Sequence, residues 1–459
     1  MRELPANSYV SGPLTPDREP GRMRMRYGFN EVDGWFYASR GPARELIQRR
    51  LRLMQTEVVR IFVFDKPVPD PIGDWQNFAH QIRAVLDAGA VPMITFAKFH
   101  PPHDDLRGLR AFAERCEEVA WGCLEEWGGA ACASWLWSIW NEPNNYQVGG
   151  ALTFECYRTI YEEVAEGIYR LMAPHLDGRK ARIGGPAACG FQPYWSDWIA
   201  RLLTEVEDHL VGFVSWHHYG DWRPVVPSAT IGFDIKGDPE APPGAAYRAL
   251  LMAQTPQYEA RARTVSRLIA GRDILNVCGE LNTIVNHDLT FVGGLNVDSM
   301  GAAYYVSALI HLIRGGADLE MRWTATASDH DAYRDAYGLI GMNGEATPAA
   351  LAKQLFAQNV RRGDRIAFPG TDAVPRGIDA IVAGEDNGPL SLVLVNTTEK
   401  GVSVPIRGCA PVLANSQEFL VLDEATDGKV DRLPCDGSVR IRGYGVAVVT
   451  NRPDTMVID

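Results

Sequence analysis

Apolar residues along this chain fall into short, dense, β-rich runs, separated by longer stretches in which they recur every three or four positions. Dense runs of that kind suit strands buried on both faces, and the longer stretches suit helices with one apolar stripe. The pattern predicts strands over Met25–Asn30, Val58–Phe64, Val91–Phe96, Trp135–Trp140, Ala181–Gly185, Val211–His217, Asp273–Glu280 and Asp318–Ala325. Between them it predicts helices over Pro42–Thr56, Asp74–Ala88, Leu106–Trp127, Thr153–Met172, Tyr194–Val206, Thr255–Ala270 and Asp298–Arg314. An eighth helix is expected at Pro348–Gln358, with Thr347 as its N-cap and Pro348 in its first turn. Eight strand–helix units are the arithmetic of a closed (β/α)8 TIM barrel, whose catalytic groups gather where the strands end.

After Gln358 the texture changes. Leu390–Asn396, Gly401–Ile406, Gln417–Leu422 and Gly443–Thr450 are short, β-branched and divided by Gly, Pro, Asp and Asn, as in an antiparallel β-sandwich. The expected division is therefore an N-terminal extension over 1–24 that packs on the β-sandwich, a catalytic barrel over 25–358, and the sandwich over 359–459. A long Pro- and Gly-rich loop is expected between Gly220 and Tyr247, on the catalytic face.

Composition narrows the function. A net charge of −12 argues against nucleic acid as the main partner, because that binding runs on clustered Lys and Arg. The eight cysteines include no CxxC pair, so neither a zinc site nor a disulfide framework is signalled, and most are expected to be buried free thiols. No apolar stretch reaches the roughly 18 residues of a membrane span, and Met1 to Arg26 contains no apolar signal core. The expectation is a cytoplasmic protein with no membrane partner. Twelve Trp and sixteen Tyr offer flat faces for sugars, although most aromatics simply fill cores.

The chemistry is carried by two strand tips. The fourth strand ends in Trp137-Ser138-Ile139-Trp140-Asn141-Glu142-Pro143-Asn144, releasing a carboxylate directly before a proline that restricts the backbone. The seventh ends in Val277-Cys278-Gly279-Glu280-Leu281-Asn282. A lone Glu is usually a solvated surface charge, yet both of these end strongly apolar strands, where an unpaired charge is costly. Two carboxylates converging on one barrel mouth are what cleavage of a glycosidic bond requires, one held protonated as general acid and the other ionised. Trp140 is a candidate for the apolar neighbour that raises the pKa of Glu142.

Trp140-Asn141-Glu142-Pro143-Asn144 resembles the acid/base motif of the large clan of retaining barrel glycosidases. The surrounding text resembles glycoside hydrolase family 39, the family of β-xylosidases and α-L-iduronidases. Ile183-Gly184-Gly185-Pro186-Ala187 with Tyr194-Trp195, Phe213-Val214-Ser215-Trp216-His217, Gly279-Glu280-Leu281-Asn282-Thr283, Arg322-Trp323-Thr324 and Ala336-Tyr337-Gly338-Leu339-Ile340 carry the likeness, in family order. The resemblance spans roughly Arg60 to Gln358 and implies a β-sandwich behind the barrel.

That resemblance implies a double displacement with Glu142 as acid/base and Glu280 as nucleophile, without metal or organic cofactor. It makes Asn141 the partner of the sugar 2-hydroxyl, Arg60 the cation that holds Glu280, His217 a partner of a carboxylate or a hydroxyl, and Trp323 the platform beneath the sugar. His218, Tyr219, Asn282 and His100 join them as substrate-binding candidates; which of the three strand-six residues points inward stays open. A barrel ion pair is the alternative for Arg60, and a satisfied core histidine for His217. Three positions depart from the family pattern: Phe62 replaces a histidine, Thr95 an acidic residue, and Gly279 a threonine. They put the sugar in doubt, because a site built for one hydroxyl rejects a sugar lacking it. His100 and His103 are candidate replacement contacts. The reading is a retaining glycoside hydrolase, β-xylosidase-like, acting on an oligosaccharide or glycoside. An endo-acting glycanase or transglycosylase, and a carbohydrate-binding protein that has lost catalysis, are the alternatives. The sandwich is a candidate for assembly into a homo-oligomer.

Overall fold

The computed structural model describes residues 21–31, 38–64, 73–97, 106–145, 152–192, 194–220, 245–284, 294–327, 337–370, 372–413 and 415–455. His100 and His103, and most of the loop expected between Gly220 and Tyr247, lie outside the described residues. The end of that loop is helical instead, over Ala245–Met252. Its Ala-Leu-Leu-Met content outweighs the Pro- and Gly-rich stretch before it.

Eight parallel strands close into a barrel in chain order: β1 (Arg26–Glu31), β2 (Thr56–Val63), β3 (Val91–Phe96), β4 (Leu136–Ile139), β5 (Ile183–Ala188), β6 (Phe213–Tyr219), β7 (Leu275–Asn282) and β8 (Leu319–Trp323). Around them stand α1 (Arg44–Leu53), α2 (Trp75–Asp87), α3 (Leu106–Trp127), α4 (Phe154–Met172), α5 (Trp195–Glu205), α6 (Pro256–Leu268), α7 (Ser299–Gly315) and α8 (Pro348–Asn359). The expected TIM barrel is borne out. Side-chain oxygens of Asp74, Thr153, Asp298 and Thr347 accept backbone N–H groups at the starts of α2, α4, α7 and α8.

Alternation along each strand sorts the side chains into two layers. Val58, Met93, Leu136, Phe213, Leu275, Val277, Leu319 and Met321 plug the floor of the barrel with apolar volume. One step nearer the strand ends the inward residues turn polar: Asn30, Arg60, Thr95, Ser138, Ser215 and Glu280 are all buried. The functional cavity stands on this change from an apolar floor to a polar mouth.

Behind the barrel comes a six-stranded antiparallel sheet in the order β14 (Asp431–Pro434), β13 (Glu418–Leu422), β16 (Val446–Thr450), β11 (Leu390–Asn396), β10 (Ile378–Gly384), β9 (Arg365–Ala367). A two-stranded sheet pairs β12 (Val402–Pro405) with β15 (Ser438–Ile441). Leu392, Leu394, Phe419 and Val421 face Val404, Val439 and Ile441 across a shared core. The alternate residues Val393, Val395, Leu420 and Leu422 join the core of the barrel's outer layer. The central strands β10, β11, β13 and β16 of the larger sheet are thus buried on both faces, which fixes their register twice over. Residues preceding β1 run alongside β9, where Arg22 bridges to Arg365 and the Met23 N–H reaches the Asp364 carbonyl at 2.8 Å.

Candidate active site

Glu142 stands just past β4 on backbone of unusual conformation. Trp140 has φ of +70° and Glu142 φ of +49°, both in the left-handed region that non-glycine residues seldom visit. Hydrogen bonds hold them there. The Trp140 N–H donates to the Phe96 carbonyl at 2.8 Å, and the Glu142 N–H to the Ala187 carbonyl at 3.1 Å. Ala187, itself at φ +54°, occupies a register shift between β5 and β6, and its own N–H donates to Ser215 Oγ at 2.9 Å. The Trp140 ring lies edge-on to Phe112 of α3, 5.6 Å between centroids, and belongs to the outer core.

Glu280 reaches the cavity through a bulge. Val277 points into the barrel and Cys278 into the outer core, so strict alternation would turn Gly279 inward and Glu280 out. The pairing of β6 with β7 slips at this point, from Trp216↔Cys278 to His217↔Glu280, and Gly279 is skipped. The bulge re-aims Glu280 inward. A Cβ on Gly279 would sit 3.3 Å from the His217 ring, tight for any side chain, while the Gly279 carbonyl accepts from Asn30 Nδ2 at 2.9 Å.

Four groups tie the two carboxylates together. Arg60 Nη1 donates to Glu280 Oε1 at 3.0 Å, its Nε to Thr95 Oγ1 at 2.8 Å, and its Nη2 to Asn141 Oδ1 at 2.9 Å. Thr95 thus takes up an arginine N–H without adding charge. Tyr219 OH donates to Glu280 Oε2 at 2.8 Å. His217 Nδ1 lies 2.7 Å from Glu142 Oε1 and 3.4 Å from Glu280 Oε2. Asn145 Nδ2 donates to Glu142 Oε2 at 2.6 Å.

The electrostatics split the pair. Burial pushes the Glu142 carboxyl up to about 7, against the pull of Asn145 and Arg60. Burial raises Glu280 too, but His217, Arg60 and the Tyr219 hydroxyl all oppose it. Burial drives His217 down to about 4, so the imidazole is neutral at pH 7. One donor atom from each of Glu142, His217 and Glu280 lies within 4.8 Å of the others, the spacing of a metal cluster. Arg60 already places a positive charge on Glu280, which opposes a second cation there.

The other expected residues divide. Trp323 lies at the tip of β8, half-buried, its ring 5.7 Å from Phe62 and nearly perpendicular to it, so the two form an aromatic corner beside Arg60. Asn282 points inward, but its Nδ2 donates to the Trp323 carbonyl and its Oδ1 accepts the Thr283 N–H, so it braces the Trp323 backbone. His218 is corrected: alternation along β6 turns it outward, edge-on to Tyr258 of α6 at 4.6 Å, with His217 and Tyr219 inward. Sequence reasoning missed Asn30 and Asn145. A polar residue inside the apolar first strand, and a second Asn directly after the Asn-Glu-Pro-Asn run, were the available signals.

Two buried carboxylates thus converge at the C-terminal mouth of an eight-stranded barrel, the end at which such barrels carry their reactive groups. Comparison with known proteins places the chain more closely. Its fold matches a family 39 β-xylosidase from Caulobacter crescentus over 97% of this chain and 98% of that one, at 14% identity and a TM-score of 0.58. It matches a family 51 α-L-arabinofuranosidase from Bifidobacterium longum over 96% and 97%, at 16% identity and a TM-score of 0.62. A β-xylosidase from Geobacillus stearothermophilus is 31% identical over 103 residues, which span 22% of this chain and 19% of that enzyme. No family model matches the chain. The resemblance to family 39 read from the sequence is borne out at the level of the fold, which families 39 and 51 share. Among the described residues no helix is long and apolar enough to cross a membrane.

Proposed function

We propose that the protein is a divergent family 39 glycoside hydrolase that cleaves glycosides with retention of anomeric configuration. The observation that carries this is the approach of Glu142 and Glu280, whose donor atoms come within 4.8 Å of each other. Retaining enzymes hold their carboxyl groups about 5–5.5 Å apart, whereas inversion needs roughly 6.5–9.5 Å to admit a water between them.

Glu142, whose carboxyl burial pushes up to about 7, gives its proton to the glycosidic oxygen as that bond breaks. Glu280 attacks the anomeric carbon from the opposite face and forms a glycosyl ester. Water then attacks the same carbon, Glu142 takes its proton, and the Glu280 carboxylate leaves. Arg60 and Tyr219 steady the charge on Glu280 in both steps. Asn141, its oxygen held by Arg60, is left with its amide N–H groups to meet the 2-hydroxyl, a contact that strengthens in the transition state. The Phe62–Trp323 corner packs against the sugar ring.

Xylosides and arabinosides are the substrate classes of first choice, from the β-xylosidase and arabinofuranosidase likenesses. A panel of aryl glycosides of xylose, arabinose, glucose and galactose tests this, with Glu280→Gln as the control. Glu280→Gln should abolish turnover, and an activated fluoro-sugar should add one glycosyl mass to Glu280 in the unaltered enzyme. Near-normal rates in Glu280→Gln, or a label on another residue, would overturn the assignment.

A further inference from the structure

The bulge that aims Glu280 has to be held from outside its own strand. The pairing register passes over Gly279 on both sides of β7: with β6 it steps from Cys278 to Glu280, and with β8 from Cys278 to Leu281. Backbone that has left the ladder loses the register that would fix it, and a buried carbonyl there needs a donor. Asn30, a fully buried side chain on β1, is that donor.

Its carboxamide has one orientation that suits every neighbour. Nδ2 donates to the Gly279 carbonyl at 2.9 Å and to the Met321 carbonyl at 3.1 Å, while Oδ1 accepts from Arg60 Nη1 at 3.1 Å. Turned over, the amide would set its oxygen against two carbonyls and its N–H groups against a guanidinium. Arg60 Nη1 carries two hydrogens, and Glu280 Oε1 lies 3.0 Å from the same nitrogen. One amide therefore fixes Glu280 twice, in its backbone through Gly279 and in its carboxylate through the shared arginine nitrogen. The main chain of Asn30 reaches further. It pairs with Trp323 in the β1–β8 ladder, and its carbonyl accepts the N–H of Ala325, two residues past Trp323, at 3.3 Å. Glu280 and Trp323 thus take their bearings from a single residue.

We infer that Asn30 is a positioning residue for the nucleophile, setting the distance and angle from which Glu280 attacks a sugar resting on Trp323. This rests on the retaining reading. The Asn30 carboxamide is engaged on Gly279, Met321 and Arg60, so its loss removes no contact to the substrate; it frees the bulge to shift. A displacement of about 1 Å in a reacting group costs up to about 100-fold in rate. The chemical step should therefore fall while binding is kept.

The test uses Asn30→Asp and Asn30→Ser. The first keeps the shape and the acceptor for Arg60, but turns an oxygen toward two carbonyls and lays a second carboxylate on the arginine. The second is smaller, leaves room for a water in place of the amide, and covers the case in which Asn30→Asp does not fold. Three quantities are measured per folded molecule: the rate constant for labelling of Glu280 by the activated fluoro-sugar, the dissociation constant of that sugar, and the pH profile of kcat/KM. The labelling rate constant should fall about 10- to 100-fold in Asn30→Asp and about 3- to 10-fold in Asn30→Ser, with the dissociation constant changed less than about 3-fold. In Asn30→Asp the acidic limb should also move to higher pH, because Arg60 is then divided between two carboxylates. Lowered thermal stability with an unchanged labelling rate, or a loss confined to binding, would overturn the inference and leave the double displacement standing. No label on Glu280 in the unaltered protein would overturn both.

Discussion

Arg60 crosses the barrel to meet Glu280 at 3.0 Å, a buried cation clamped to a buried carboxylate. Neither charge can stand there alone. Arg60→Ala is expected to destabilise the fold by about 3–5 kcal/mol, because it leaves Glu280 uncompensated in low dielectric. Without the cation the Glu280 carboxyl moves further up, so the acidic limb of kcat/KM shifts to higher pH. Denaturant melts and a pH profile measure both. Unchanged stability with an unmoved acidic limb would remove Arg60 from this role.

Tyr219 tests the same carboxylate from its other oxygen. Tyr219→Phe keeps the stack on Phe191 and removes only the O–H donated to Glu280 Oε2. A hydrogen bond to a charged group contributes about 1.5–3 kcal/mol, so kcat/KM should fall by roughly 10- to 100-fold. The acidic limb again moves up. A fall confined to KM would indicate a binding contact in place of support for the nucleophile.

Glu142 should set the basic limb. Its carboxyl, pushed to about 7 by burial, must be protonated to act as acid, so activity declines as pH rises through that value. The Asn145 amide favours the ionised form, hence Asn145→Ala should move the basic limb to higher pH. The sign for stability follows from the same shift. Above the ordinary carboxyl range the folded state holds this proton more tightly than the unfolded state does. Glu142 therefore costs stability as pH climbs toward 7, and Glu142→Gln should flatten that part of the stability–pH curve.

Far from the mouth, Lys353 of α8 and Glu320 of β8 form an ion pair closed to solvent, with Tyr305 OH 3.2 Å from Glu320 and the Tyr27 ring 3.7 Å from the ammonium. Lys353→Met should cost about 3–5 kcal/mol by stranding Glu320, and pairing it with Glu320→Leu should recover much of that loss. Turnover per folded molecule should stay unchanged throughout, since the pair touches neither carboxylate of the cavity.

Much of this could be read beforehand, and the reasons differ by element. The barrel strands were legible because burial on both faces leaves dense apolar runs, and Glu142 because Asn-Glu-Pro closes one of them. Strand β10 (Ile378–Gly384) escaped notice, its Asp379 and Gly384 breaking the apolar run. The β14 strand is exposed throughout and so carries no apolar pattern at all. Side-chain direction was the hardest property to infer. His217, His218 and Tyr219 are equally polar, and only the register of β6 shows that the middle one looks outward.

The skipped Gly279 makes the nucleophile a matter of parity. Transplanting β7 into another barrel by matching residue to residue would import the glutamate and lose its aim, leaving a well-folded molecule whose reactive group faces a helix. Anyone recombining such scaffolds has to carry over the miscount as well as the letters.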